Sequence, residues 1–154
     1  MHSRIFQISK KPVTDYMSED RYYDGFVGSI ADYIDSLSEE DQMESIECLK
    51  AVLGDSVRID IENKCMTIVS KKKYFERKYE RFLNMAADVS KMSFEDFCSF
   101  NGDVKMYSLM YDFDDKYGYY IDDYDNGWRT IDSFMREVKN REKFYFGIVT
   151  DYHM

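Results

Sequence analysis

Asp112, Asp114, Asp115, Asp122, Asp123 and Asp125 crowd one short stretch of this chain. Carboxylates at that density can ligate a divalent cation, work as acid–base pairs, or stand together as a negative field. Calcium is the metal such a run would suit, and its loop has a fixed spacing. With Asp122 at the first position, Asn126 and Gly127 fall where positions five and six require them. Tyr124 then takes position three, Arg129 position eight, and Ser133 the twelfth position, where a bidentate Glu belongs. About half of the loop's requirements fail. Weak, adventitious divalent binding is expected, with no dedicated metal site and no cofactor.

Acid–base or nucleophilic chemistry finds little to work with. The two histidines, His2 and His153, stand at opposite ends of the chain. They could form a metal site or a proton-transfer pair only where those ends meet in space. No serine sits in a nucleophile elbow, and none of Cys48, Cys65 and Cys98 has a histidine near it in sequence. Gly25-Phe26-Val27-Gly28-Ser29 has the glycines of a phosphate loop. It lacks the Gly-Lys-Ser/Thr ending and a preceding strand, and carboxylates ring it. A converging carboxylate pair, as in glycoside hydrolysis, leaves no signature among thirty acids. The expectation is a non-enzymatic protein.

A negative field fits the composition. The formal net charge is -9, and 14 Tyr, 11 Phe and one Trp make 17% aromatic. Residues 15–47 hold eleven acids against Arg21 alone, and residues 95–125 hold nine against Lys105 and Lys116. Between them, residues 71–81 carry six basic side chains against Glu76 and Glu80. Tyrosine buries area at small entropic cost and keeps a hydroxyl for recognition. The six aspartates named above therefore read as phosphate surrogates, with Tyr119, Tyr120 and Tyr124 as anchors. Tyr22 and Tyr23 sit beside Asp20 and Asp24 in the same way. Such a field repels nucleic acid and anionic membranes and favours a basic partner. The assignment requires the basic segment to face elsewhere; packed over the acids, it would cancel them.

The elements that would carry these residues follow from periodicity. Residues 4–9 alternate as a first strand. Ser18-Glu19-Asp20 looks like a helix start, with Phe26, Ile30, Tyr33, Ile34 and Leu37 on one face. Gly25 and Gly28 weaken its first turns and move its start toward Ser29. Ser38 caps a second helix, with Met43, Ile46, Leu49 and Leu53 inward and Gly54 as its stop. Val57, Ile59 and Ile61 alternate as a strand, which Asn63-Lys64 returns as residues 65–70. Residues 71–92 form the clearest helix, with Phe75, Tyr79, Phe82, Leu83 and Ala86 as its stripe. Ser93 caps a short helix through Phe100, stopped at Asn101-Gly102. Residues 104–113 read as helix and 117–121 as strand, and Asp125-Asn126-Gly127 as a turn. Thr130 caps a helix carrying Ile131, Phe134, Met135 and Val138 inward. Residues 144–149 are apolar on both alternate sets, as in a central strand covered on both faces.

The expected class is α+β, with a small, mostly antiparallel sheet of about five strands packed by four to five helices. Residues 1–154 are expected to form a single globular domain. The start of the chain has no apolar core of a signal peptide, and no stretch is long enough for a membrane span. Odd, widely spaced cysteines suit a reduced cytoplasm.

Two runs add a resemblance. Met1-His2-Ser3-Arg4-Ile5-Phe6-Gln7-Ile8-Ser9 and Gly25-Phe26-Val27-Gly28-Ser29-Ile30-Ala31-Asp32-Tyr33 are similar to uncharacterised proteins of bacterial mobile elements. With its size, acidity and aromatic content, the chain resembles the small inhibitors of phages and conjugative elements, such as anti-CRISPR and antirestriction proteins. That resemblance implies a defence-related context and transfers no functional residue. The resulting expectation is a cytoplasmic inhibitor that occupies the basic groove of a nucleic-acid-binding defence nuclease in the manner of a DNA mimic, without binding nucleic acid itself. The alternative is an adaptor or regulatory domain whose acidity only keeps it soluble, and which meets its partner through apolar or basic-helix residues. Salt separates them, because only a mimic loses affinity steeply as salt rises.

Overall fold

The longest strand, β7 (Lys143–His153), organises the computed structural model. The structure describes residues 2–113, 115–123 and 126–154, without the side chains of Asp112 and Asp115. Apolar residues on both alternate sets let β7 run through the middle of the sheet. Phe144, Phe146, Val149 and Tyr152 are all buried. One edge of β7 pairs antiparallel with β1 (His2–Ser9) along nearly its whole length. The other edge is shared. Its start pairs with β4 (Cys65–Ile68), and its end with β2 (Tyr33–Ser36).

β4 is the return strand of a hairpin with β3 (Val57–Asp60). On the far side β1 takes β5 (Tyr120–Asp123) in parallel, and β6 (Gly127–Thr130) closes that edge. The fold is α+β, with seven strands among the described residues in a mostly antiparallel sheet. β2 and β6 are the two strands beyond the expected five.

β2 also corrects the expected helix after Ser18. Residues Glu19–Tyr23 make a short 3-10 turn, and Gly25 and Gly28 follow with φ of 115° and 89°. Those left-handed residues end any helix. The open edge of β7 then takes up residues 33–36, with Tyr33 opposite His153 and Ser36 opposite Thr150.

Each face of the sheet has its own core. On one, α1 (Glu39–Leu53) and α5 (Ile131–Glu137) pack Ile46, Leu49, Phe134 and Met135 against Phe6, Ile121 and Phe146. On the other, residues 22–31 lay Tyr22, Phe26 and Ala31 over Ile5, Tyr120 and Tyr152, with Ile34 of β2 beside Tyr152 in the sheet. Ile5 and Phe6 fall in different cores, as neighbours on a strand must. Ser38 caps α1 by accepting from the Asp41 N–H at 3.2 Å, and Gly54 ends it at φ 52°.

α2 (Lys71–Ser90), α3 (Phe94–Phe97) and α4 (Phe100–Phe113) form a separate arm. α2 has no buried residue along its length. Asn101-Gly102 does not stop a helix but lies in the first turn of α4. A Cβ on Gly102 would overlap the Asp96 carbonyl and come 2.9 Å from the Phe97 Cα, so glycine is what lets α3 meet α4. No helix among the described residues is long and apolar enough to cross a membrane.

Candidate interaction surfaces

β5 is an interior strand, and this decides the fate of the predicted site. Asp122 has 0% exposure and lies between β1 and β6, with Gln7 and Trp128 as register partners. Arg21 pairs with it, Nε standing 3.3 Å from Oδ2. Burial raises its pKa above the usual carboxylate range, against the lowering effect of Tyr22 and Arg21. Burial, reinforced by the Asp122 charge, in turn pushes the Tyr22 phenol up. Asp123 is also buried, with Arg129 at 3.7 Å and the Asn126 side-chain amide donating to it at 2.8 Å.

Tyr120 turns into the second core. Its hydroxyl donates to the Lys116 carbonyl at 2.7 Å, and its ring meets Phe26 edge-on at 5.0 Å. Tyr119, on the other side of the strand, is half-buried against Phe6. Asp122, Asp123 and Tyr120 are therefore corrected from surface contacts to interior residues. Alternation places neighbours on opposite faces, but here both faces are covered. Asp114, Tyr124 and Asp125 lie outside the described residues, as do the side chains of Asp112 and Asp115.

The basic helix does not face away from this region. Lys78 of α2 forms an ion pair with Asp132 and stands 5.6 Å from the centre of the Phe113 ring. The Tyr74 hydroxyl donates to the same Asp132 at 2.6 Å. Arg77 donates to the Leu53 carbonyl at 2.6 Å, at the end of α1. Lys78, Arg77 and Arg81 border a cleft of about 520 Å³ with Tyr111, Tyr117 and Tyr119. Of the expected field over 112–125, the aspartates whose side chains are described, Asp122 and Asp123, are interior and paired with Arg21 and Arg129, while the cations of α2 border the cleft at Tyr117 and Tyr119.

The other acidic run behaves differently. Of the eleven acids in residues 15–47, all are exposed except half-buried Glu19. Their partners are mostly hydroxyls, which satisfy the oxygens without neutralising the charge. Ser18 donates to Asp20 at 3.2 Å, Ser38 to Asp41 at 2.6 Å, and Ser36 to Glu19. Lys50 reaches Glu47 at 3.4 Å, and His153 lies 3.5 Å from Asp32. Arg21, the one cation of the run, is turned inward to Asp122. The Ser36–Glu19 bond ties the 3-10 turn to β2, and β2 leads through Leu37 and Ser38 into α1. The three acidic pieces adjoin. Along α1, Glu39, Glu40, Asp41, Glu44 and Glu47 place one carboxylate per roughly 3 Å of helix axis. One strand of duplex DNA carries one charge per about 3.4 Å.

The two histidines do meet, because β1 and β7 pair antiparallel with His2 opposite His153. Their ring centroids are 5.0 Å apart. His2 Nδ1 lies 2.6 Å from Asp151, which also pairs with Arg4. His2 and Arg4 share a hollow of about 220 Å³ with Asp41, Glu44, Ser45 and Cys48. Among the described residues no group of three or more His, Cys, Asp or Glu side chains is placed to hold a metal ion.

Sequence reasoning counted the acids of both runs but not their depth. The available signal was Arg21, a single cation in a run of eleven acids, which the fold uses internally. Comparison with protein-family models, curated proteins and solved structures gave no match.

Proposed function

We propose that this chain is a non-catalytic interaction protein that meets a basic partner, of the kind that binds nucleic acid, through residues 15–47. One observation carries the reading. Ten solvent-exposed carboxylates lie along residues 15–47, seven of them in the 3-10 turn, β2 and α1, and among the described residues Lys50 pairs with Glu47. The charge spacing on α1 is close to that of a phosphate backbone, so a groove lined by lysine and arginine would accept it. A defence nuclease is the partner class that the resemblance to mobile-element inhibitors favours. The site differs from that expected at residues 112–125.

The test is affinity capture from a bacterial host lysate, followed by a salt titration of what is retained. Glu40→Lys, Glu44→Lys and Glu47→Lys together should weaken retention measurably. Three exposed pairs at ~0.2–1 kcal/mol each amount to a roughly 3- to 150-fold loss of affinity before any added repulsion. The melting temperature should hardly move, since all three side chains are exposed. A retained partner that ignores both salt and the triple reversal overturns this reading. It would favour the adaptor alternative, for which the exposed aromatic side chains of the arm are the specific support.

A further inference from the structure

α4 carries two apolar stripes. Met106, Leu109 and Phe113 recur at helical spacing on the face where Phe113 meets Phe82 of α2 at 5.4 Å. The second stripe is Phe100, Val104, Tyr107 and Tyr111, spaced four, three and four residues apart. That is the spacing of a coiled-coil seam. Phe100 is 80% exposed, Tyr107 66%, Val104 45% and Tyr111, which also borders the cleft described above, 37%, with Met110 at 74% and Phe94 on α3 at 77% nearby.

We propose that this seam is the interface with a second copy of the chain, α4 lying antiparallel to the partner's α4 about a two-fold axis. This goes beyond the acidic-face reading and does not depend on it. Three observations select a second copy. First, the seam is palindromic. A spacing of four, three and four reads the same in reverse, so antiparallel packing sets Phe100 against Tyr111 and Val104 against Tyr107, as an isologous contact requires.

Second, the seam carries little of the charge. A chain of net charge -9 meets a copy of itself most readily where local charge is small. Within residues 94–111 the charged side chains are Glu95, Asp96, Asp103 and Lys105, a net of -2.

Third, the area suffices. Aromatic side chains offer about 150–250 Å² each. At the exposures of Phe94, Phe97, Phe100, Val104, Tyr107, Met110 and Tyr111, the arm presents up to roughly 800 Å². That is about one partner's share of a standard interface.

Sedimentation equilibrium of the full chain, from roughly micromolar to millimolar, tests the proposal. The apparent mass should climb from 18.5 kDa toward twice that value. Phe100→Glu with Tyr107→Glu brings four carboxylates into each dimer seam and should weaken association at least about 100-fold. Both side chains are exposed in one copy, so circular dichroism at low concentration should match the parent. Should that variant not fold, Met110→Lys and the concentration dependence of amide exchange in α4 of the parent give the same reading. A parent monomeric at the highest concentration overturns the proposal. So does a dimer unaffected by these changes, or a different protein held by the seam while the parent stays monomeric. The triple reversal on α1 does not touch the seam and should leave the dimer assembled, so the two proposals fail separately.

Discussion

Gly147→Ala should destabilise this protein through a residue on another strand. Gly147 lies on β7 where β1 slips register between Phe6 and Ile8. Buried Gln7 folds its amide into the space left by the absent side chain. Its Oε1 accepts from the N–H of Ile148 at 2.9 Å and of Met17 at 3.4 Å. Its Nε2 donates to the Asp15 carbonyl at 3.3 Å. Gln7 thus anchors the start of the acidic run to the sheet. A methyl group at 147 would overlap Oε1 and crowd Cδ and Cγ, so the amide must leave.

Two N–H groups, that of Met17 buried and that of Ile148 partly buried, then lose their acceptor, at ~1–3 kcal/mol each, the longer bond at the low end. The stiffer alanine returns about 0.4–1 kcal/mol through the unfolded chain. The net is about 2–3 kcal/mol, or roughly 5–10 °C in melting temperature for a chain of this size. Gln7→Ala orphans the same groups and should cost a similar amount. The double variant orphans them once, so it should cost little more than either single change, a coupling of about 2 kcal/mol. Urea titration of the four proteins closes the cycle. Additive costs, or a Gly147→Ala variant within about 0.5 kcal/mol of the parent, refute the reasoning.

Three further outcomes can be measured on the same equipment. Phe26 meets the rings of Tyr120, Trp128 and Tyr152 edge-on at 5.0, 5.3 and 5.2 Å. Phe26→Ala should cost ~3–5 kcal/mol and alter Trp128 fluorescence, and a cost under about 1 kcal/mol would deny that these rings form a core. Gly102→Val should separate α3 from α4, lowering the helical signal of the arm while the sheet persists; an unchanged spectrum counts against the close approach. Asp122 keeps its proton to a higher pH when folded than when unfolded, because burial raises its pKa. Its contribution is therefore present below the ordinary carboxylate range and is lost as pH rises through the raised value. The melting temperature of Asp122→Asn, measured against the parent, should rise as pH climbs above the ordinary carboxylate range. A constant difference would contradict that linkage.

Local periodicity determined much of this molecule without reference to the rest. Ser38, Ser93 and Thr130 announced their helices because a cap is settled by its own next three residues. The 57–68 hairpin, the 71–90 helix and the doubly apolar β7 were equally legible, since each pattern is written within one element. The α+β class followed from their order. What needed the tertiary structure was depth and partnership. Nothing local says that residues 33–36 will be claimed by the spare half of the β7 edge, or that β5 will be covered on both faces. A run of aspartates looks alike whether solvated or interior, because burial depends on what chains distant in sequence lay over it. Asp122 is interior since residues 22–31 fold across β5 and bring Arg21 to it. The same closure left residues 15–47 as the exposed acids and set the α4 seam outside the core. These two surfaces are where the protein's interactions are to be sought.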